Sequence, residues 1–189
     1  MRAALLIALI MLLPAGLVEG AVAKRARHPY RKSWKHETIG KGAIGPVAAS
    51  VGVAQLRKTP SKYGGGAAGF GKRLGAGFAT NAVNKTVEHV VAAKLHEDLH
   101  YHRSNKHGVA PRLGYALKST VITRNTKTGK RTPAVGRIAG HAAAGAFTQG
   151  VLAAGSGAST AGIGLAAEAG ANVVREFVPP RRRRPRQKK

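Results

Sequence analysis

The feature that most restricts the fold is a long uncharged stretch, residues 138–167, built largely from Gly and Ala. Its 30 residues contain no Lys, Arg, Asp or Glu, and 18 of them are Gly or Ala. Small residues recur at every fourth position, and positions i and i+4 share one face of a helix. Such faces let another helix backbone approach closely. The stretch is therefore predicted to form two close-packed helices separated by a break at 155–157.

The small residues form three rows, each on one helical face: Gly136, Gly140 and Ala144; Ala146, Gly150 and Ala154; and Ala158, Gly162, Ala166 and Gly170. These faces also offer contacts between copies of the chain, so a homo-oligomer is one expectation. Membrane insertion depends on Leu, Ile, Phe and Val, which are sparse here, whereas Gly and Ala contribute little. A compact hairpin outside the bilayer is favoured over a membrane-embedded one.

Helical spacing continues through the rest of the middle of the chain. Ile44, Val47, Val51 and Ala54 share a face, and a longer helix is predicted over 70–103. Residues 114–124 form a short element of uncertain type, and 125–133 is a polar turn region. Aromatic residues make up only 5% of the sequence, so the core must use small side chains. The predicted fold is all-α: a small Gly/Ala-rich helical bundle over 38–178.

The first 23 residues are typical of a signal peptide. Met1 and Arg2 precede an apolar run over 3–13, and Ala21-Val22-Ala23 provides a cleavage site. The run is shorter than the roughly 20 apolar residues that span a bilayer. An uncleaved anchor is the second alternative. The predicted location is therefore the periplasm, the outer envelope or the extracellular space.

Positive charge is concentrated at the two ends of the predicted mature chain. The whole sequence has 32 Lys and Arg against 7 Asp and Glu, a net charge of +25. Blocks of like charge repel themselves, so the arm at 24–37 and the tail at 179–189 are predicted to be disordered. The residues predicted to bind an anionic surface are Lys24, Arg25, Arg27, Arg31, Lys32, Arg181, Arg182, Arg183, Arg184 and Arg186. Tyr30 and Trp34 are candidate anchors at the headgroup level.

One motif is typical of metal chemistry. His96-Glu97-Asp98-Leu99-His100 reads as H-E-x-x-H, which on a helix places two histidines on one zinc ion with the Glu as general base. A hydrolase would still need a third ligand, for which Glu168 or His141 is the candidate. The alternative is a helix C-terminus whose His and Arg residues suit the helix dipole. This second reading is favoured, so no catalytic residue and no cofactor is predicted, with zinc at His96 and His100 as the alternative.

Three short motifs in order resemble a known family. They are Phe70-Gly71-Lys72-Arg73-x-Gly75-Ala76, then Leu95-His96-Glu97-Asp98-x-x-Tyr101-x-Arg103, and then Arg112-x-Gly114-Tyr115-Ala116-Leu117 with Thr123-Arg124. Over residues 63–177 the chain is similar to an uncharacterised family of exported bacterial proteins, abundant in acidobacterial genomes. That family has no established activity or cofactor, so the resemblance supports only class and export.

The resemblance also bears on the histidine motif. The family pattern there is L-H-x-D-P-R-Y, whereas this chain has Leu99 and His100 at the Pro and Arg positions. A second zinc-binding His is therefore not a family feature. The resemblance instead implies that Asp98, Tyr101 and Arg103 form a structural or partner-binding corner near Arg112.

Three function classes remain from the sequence. The leading one is a non-enzymatic exported envelope protein held by its basic arms on an anionic component: lipid, lipopolysaccharide or an acidic cell-wall polymer. The second is a nucleic-acid-binding basic protein, since arginine runs contact phosphates. No recognised nucleic-acid-binding motif supports it, and the signal peptide argues against it. The third is a zinc-binding protein or metallohydrolase that uses residues 96–100.

Overall fold

The chain folds into a mostly helical bundle, which confirms the predicted all-α class. The computed structural model describes residues 29–153 and 156–178. Its helices are α1 (Pro29–Thr38), α2 (Lys41–Leu56), α3 (Gly66–Leu95), α4 (Val109–Val121), α5 (Val135–Gly150) and α6 (Gly157–Phe177). A single 3-10 turn spans Ser61–Tyr63, and a short antiparallel hairpin joins β1 (Ile122–Arg124) to β2 (Arg131–Pro133).

The long helix α3 organises the bundle. It packs against α1 and α2 on one side and makes its most extensive contact with α5. Helix α6 packs against both α4 and α5, so α5 touches the two other long helices. The α5–α6 pair is the predicted helical hairpin, and α5 ends at Gly150, shortly before the predicted break.

The first row of small residues lies in the contact between α3 and α5. A Cβ atom added to Gly140 would lie 2.7 Å from the backbone oxygen of Asn84, and one added to Gly136 would lie 2.9 Å from that of Glu88. Both distances are too short for a carbon atom, so only Gly permits this approach. On the other side of α5, Gly145 lies directly against the backbone of Gly157. Close backbone packing thus occurs in both contacts of α5. The first row of small residues faces α3 and not α6, and the α5–α6 contact uses Gly145 and Gly157, which are outside the three predicted rows.

The third row of small residues, on α6, does not lie in a contact between helices as expected. Ala158, Gly162, Ala166 and Gly170 are all exposed. Helix α6 buries another face, which carries Asn172 and Glu176. The groove expected on α6 is therefore unused within the described part of the chain, and the homo-oligomer stays a prediction.

The interior of the bundle is unusually polar. The buried apolar residues are mainly alanines and valines, while the largest fully buried side chains are Glu88, Glu97, Glu176, Val51 and Asn172. Charged side chains inside a protein must be paired and hydrogen-bonded, because an isolated buried charge is very costly. The packing of this chain therefore depends on polar contacts as well as on apolar area.

Several predicted boundaries were wrong. The helix predicted over 70–103 ends at Leu95, because His96 adopts a left-handed conformation with φ 57° and the chain then turns away. The next helix, α4, begins at Val109, before the element predicted over 114–124. The element at 114–124 is helical to Val121 and forms a strand over its last three residues. Part of the polar region at 125–133 is strand β2.

The N-terminal arm was also predicted incorrectly in part. Its residues from Pro29 onward form α1 rather than a disordered segment. This helix docks on α3, where Asn81 donates a hydrogen bond of 2.9 Å to the Glu37 carbonyl at the end of α1. Trp34 is half-buried, and its Nε1 donates to the hydroxyl of Thr86, so it packs on protein rather than extending as a free anchor. The predicted signal peptide and basic tail lie outside the described residues.

Two large apolar side chains near the beginnings of α2 and α3 are exposed. Ile44 is 56% exposed, because the face of α2 that meets α3 carries Ala43, Val47 and Val51 instead. Val47 and Val51 pack at Gly77 of α3, where a Cβ atom would lie 2.9 Å from Val51. Phe70 is 43% exposed near the start of α3.

The close approach of α3 and α5 gives a direct test. We expect Gly140→Ala to lower the free energy of unfolding by about 1–3 kcal/mol, because the added methyl group overlaps the Asn84 backbone. Gly162→Ala, at an open position inside α6, is expected to raise it by about 0.5–1 kcal/mol through helix propensity. Urea unfolding followed by circular dichroism measures both. Equal effects of the two substitutions would contradict the described packing.

Candidate functional site

The H-E-x-x-H segment does not form a zinc-binding helix. Helix α3 ends before it, and the His96 N–H caps the helix by donating to the Ala92 carbonyl. His96 and His100 therefore do not share a helical face, and His100 is exposed. Within the described part of the chain, no group of three His, Cys, Asp or Glu residues is placed to hold a metal ion. The alternative hypothesis of a helical histidine pair at His96 and His100 was therefore wrong.

Glu97, the general base of the zinc hypothesis, caps a helix instead. Its carboxylate accepts hydrogen bonds from the N–H groups of Val135 at 3.0 Å and Gly136 at 2.9 Å, in the first turn of α5. The side chain is only 1% exposed. Free N–H groups and the helix dipole both favour a negative charge at this position. Glu97 thereby ties the end of α3 to the beginning of α5.

The capping role of Glu97 can be tested by comparing it with His100, the last residue of the same motif. We expect Glu97→Ala to lower the free energy of unfolding by about 2 kcal/mol, because α5 loses its cap. His100→Ala, which changes an exposed side chain, is expected to change it by less than about 0.5 kcal/mol. Denaturant unfolding with and without added zinc measures both effects. A zinc-dependent loss of stability shared by the two variants would contradict the capping role.

Glu176, near the end of α6, organises the region of the predicted corner. Its carboxylate accepts hydrogen bonds from the Tyr101 hydroxyl at 2.8 Å and the Ser104 hydroxyl at 2.6 Å. It also forms an ion pair with Arg112 Nε at 3.0 Å. Arg103 and Arg112 both donate to the backbone carbonyl of Glu176. Tyr101, Arg103 and Arg112 are therefore brought together around one buried carboxylate.

Asp98, the third residue of the predicted corner, lies elsewhere. Its carboxylate accepts from the His102 ring at 2.7 Å and from the His100 ring at 3.2 Å. Its backbone N–H donates to the Arg124 carbonyl at 2.8 Å, and its carbonyl accepts from the Thr123 hydroxyl. Burial alone would raise the pKa of Asp98, but the hydrogen bond from His102 and further bonds from His100 lower it. Asp98 thus fastens the segment after α3 to strand β1.

The environment of Glu176 favours its ionised form. Burial alone would raise the pKa, but the hydrogen bonds from Ser104, Tyr101 and Arg112 lower the pKa of Glu176 to about 2. Burial and the neighbouring Glu176 together raise the pKa of the Tyr101 hydroxyl above its usual value. Tyr101 therefore remains a neutral donor to an ionised carboxylate. Because the ordinary Glu pKa is near 4.3, this arrangement stabilises the folded state above that pH.

The pH dependence of stability tests this arrangement. We expect Glu176→Gln to lower the free energy of unfolding by about 3 kcal/mol at pH 7, because Arg112 loses its buried partner. The pKa of Glu176 is lower in the folded state than in the unfolded state. The difference in the free energy of unfolding between Glu176→Gln and wild type should therefore shrink as the pH falls from about 4.5 towards 2. Urea titrations at several pH values measure it. Glu37→Gln, a control carboxylate 35% exposed and 3.8 Å from Lys85, should cost less than about 1 kcal/mol. A difference that stays constant with pH would contradict the assigned role.

A second buried network connects α3, α5 and α6. Glu88 pairs with Lys85 at 2.6 Å and lies 3.7 Å from Arg137 Nε. Arg137 also approaches Glu168 of α6, at 3.8 Å. Burial alone would raise the pKa of Glu168, but the charges of Lys85 and Arg137 lower it. This network therefore supplies polar contacts that join α3, α5 and α6.

The distribution of charge between interior and surface follows from these networks. Of the carboxylates in the described ranges, Glu88, Glu97 and Glu176 are buried, and Glu37, Asp98 and Glu168 are intermediate. The exposed basic residues are Lys35, Lys41, Arg57, Lys58, Lys62, Lys72, Lys94, Arg103, Lys106, Lys118, Arg124, Lys127, Lys130, Arg131 and Arg175. The described surface is therefore strongly and almost uniformly positive.

One concave region of this surface concentrates the positive side chains. It lies between the β1–β2 hairpin, the C-terminal half of α4 and the segment 100–102, and we call it the hairpin cleft. Its basic lining residues are Lys118, Arg124, Arg131, Arg137, His100 and His102. Tyr101 and Tyr115 also line it, with ring centroids 6.3 Å apart in an edge-to-face arrangement. Among the described residues, no Asp or Glu lines the cleft.

The sequence-predicted residues are distributed unevenly over the structure. Arg31 and Lys32 belong to the first half of α1. Three residues of the predicted arm, Lys24, Arg25 and Arg27, lie outside the described residues, as does the whole arginine tail. Sequence reasoning missed Glu176 and the hairpin cleft. The scarcity of carboxylates was the available signal, since each one retained among so many cations is a candidate internal partner.

Comparisons with known proteins add no family to this description. No family model matches the chain, and no curated protein or solved structure is detectably similar to it.

Proposed function

We propose that this chain is a non-enzymatic exported envelope protein, held on an anionic surface by its basic arms and by its folded domain. The observation that supports this best is the separation of charge: the described carboxylates are buried or half-buried, and most of the described Lys and Arg residues are exposed. Each basic residue near an anionic membrane contributes about 1 kcal/mol of attraction. Exposed acidic groups that would oppose this attraction are lacking among the described residues.

Lipid is the favoured anionic component because of one helix face. Val109, Leu113, Leu117 and Val121 recur at every fourth position of α4, and each is at least 38% exposed. Lys118 is exposed on the same helix, and Arg124 follows it. An apolar face beside basic residues is typical of helices that lie in the interface of an anionic membrane. None of the helices in the described ranges combines the length and hydropathy needed to cross a membrane.

Cell fractionation tests the proposal. A C-terminally tagged full-length chain is expressed, and its membranes are washed first with high salt and then with detergent. We expect release by salt, because screening weakens surface attraction. Deleting residues 181–189 or changing Leu117→Ser should lower the salt needed. Leu56→Ser, at an 86% exposed site on α2, is the matched control and should behave as wild type.

Other outcomes of the same experiment would overturn the proposal. A protein found in the soluble fraction would contradict attachment to the envelope. Release by nuclease rather than by salt would favour the nucleic-acid-binding alternative. N-terminal sequencing of the membrane fraction tests export, since a mature chain beginning at Lys24 is expected. A retained Met1 in a chain released only by detergent would indicate an uncleaved anchor.

A further inference from the structure

We propose that the hairpin cleft binds a phosphate group. This inference deepens the proposed attachment to an anionic surface and rests on it for the source of the phosphate. The cleft combines Lys118, Arg124 and Arg131 with two imidazole rings and two tyrosines. Guanidinium and ammonium groups are the side chains that bind phosphate oxygens most strongly, through charge-assisted hydrogen bonds.

The pairing of Arg124 with Arg131 is the first argument. These residues are directly opposite each other in the β1–β2 register. Side chains at such positions share one face of the hairpin with Cβ atoms about 5 Å apart, and like charges there are destabilising. No carboxylate within the described ranges forms an ion pair with either guanidinium. A multivalent anion between the two arginines would convert their repulsion into attraction.

The floor of the cleft is the second argument. The C-terminus of a helix carries free carbonyl groups and a partial negative charge, which would repel an anion. Helix α4 ends at this cleft, but Arg137 Nη1 donates to the carbonyls of Ser119 at 2.8 Å and Thr120 at 3.0 Å. The buried guanidinium therefore covers the negative end of the helix and leaves the cleft positive.

The rim of the cleft is held in place before any ligand binds. The two carboxylate oxygens of Asp98 accept hydrogen bonds from the rings of His100 and His102 and so orient both rings. Tyr101 is fixed by Glu176, and Ser119 donates to the Tyr115 carbonyl at 2.8 Å. Side chains fixed in advance lose less conformational entropy on binding. The hydroxyls of Ser119 and Thr123 are already committed to protein carbonyls, so the arginines and the lysine supply the principal free donors.

Calorimetric titration with pyrophosphate tests the cleft directly, with Arg131→Gln and Arg124→Gln as variants. Lys127→Gln is the matched control, because it removes one positive charge from the same hairpin at a residue that does not line the cleft. We expect each arginine variant to weaken binding about tenfold, because it removes charge-assisted hydrogen bonds to the phosphate oxygens. The control should weaken binding less than twofold. Thermal unfolding without ligand should show Arg131→Gln to be no less stable than wild type.

Salt-washed membranes and phosphatidylglycerol vesicles distinguish the sources of the phosphate. If Arg131→Gln is released at lower salt than Lys127→Gln, the ligand is a lipid headgroup. If Arg131→Gln and Lys127→Gln are released at the same salt concentration but still differ in their affinity for pyrophosphate, the ligand is a soluble phosphate compound. If the arginine variants and the Lys127→Gln control bind pyrophosphate equally well, the proposed phosphate site in the hairpin cleft is wrong, even if the wild type remains on membranes. Loss of wild-type membrane attachment alone would overturn only the proposed function.

Discussion

The burial of carboxylates among cations is the interaction on which the rest of this structure depends. A bundle of Gly- and Ala-rich helices has little apolar side-chain volume to bury. Its helices therefore pack closely but bury little apolar surface area. Glu88, Glu97 and Glu176 compensate by joining elements that are distant in sequence. Each carboxylate lies among hydrogen-bond donors or cationic side chains, and removing one would leave its partners unsatisfied. The fold therefore combines very close backbone contacts with a few specific polar connections.

The same arrangement explains why the histidine motif does not form a helical histidine pair. Glu97 can reach the first N–H groups of α5 only if the chain leaves the helical path after Leu95. The helix therefore ends where the motif begins, and its two histidines separate. The placement of the described carboxylates has a second effect: none of them is fully exposed, so the charged groups on the described outer surface are mainly Lys and Arg. The placement of the carboxylates thus affects both the polar contacts of the interior and the charge of the surface.

Sequence reasoning predicted the parts of the fold that depend on local pattern. The all-α class, the α5–α6 hairpin and the close contact at Gly140 followed from the spacing of small residues. It failed where tertiary contacts decide: α3 ends early because of Glu97, and α1 forms because it docks on α3. The role of Glu176 as the shared hydrogen-bond acceptor of several side chains was not predicted, because these partners lie more than 60 positions away in the sequence. The hairpin cleft likewise required the register that places Arg124 opposite Arg131.

The position of Glu176 also has a mechanical consequence. It lies immediately before Phe177, and Arg181, the first arginine of the tail, is only five positions after Glu176. Any force applied to that tail is transmitted first to the last turn of α6. There Tyr101, Ser104 and Arg112 hold the side chain while Arg103 and Arg112 hold the backbone, so the load spreads into α4 and the segment after α3. A tail anchored to a surface would therefore pull on the bundle where several bonds must break together, rather than fraying the helix one turn at a time.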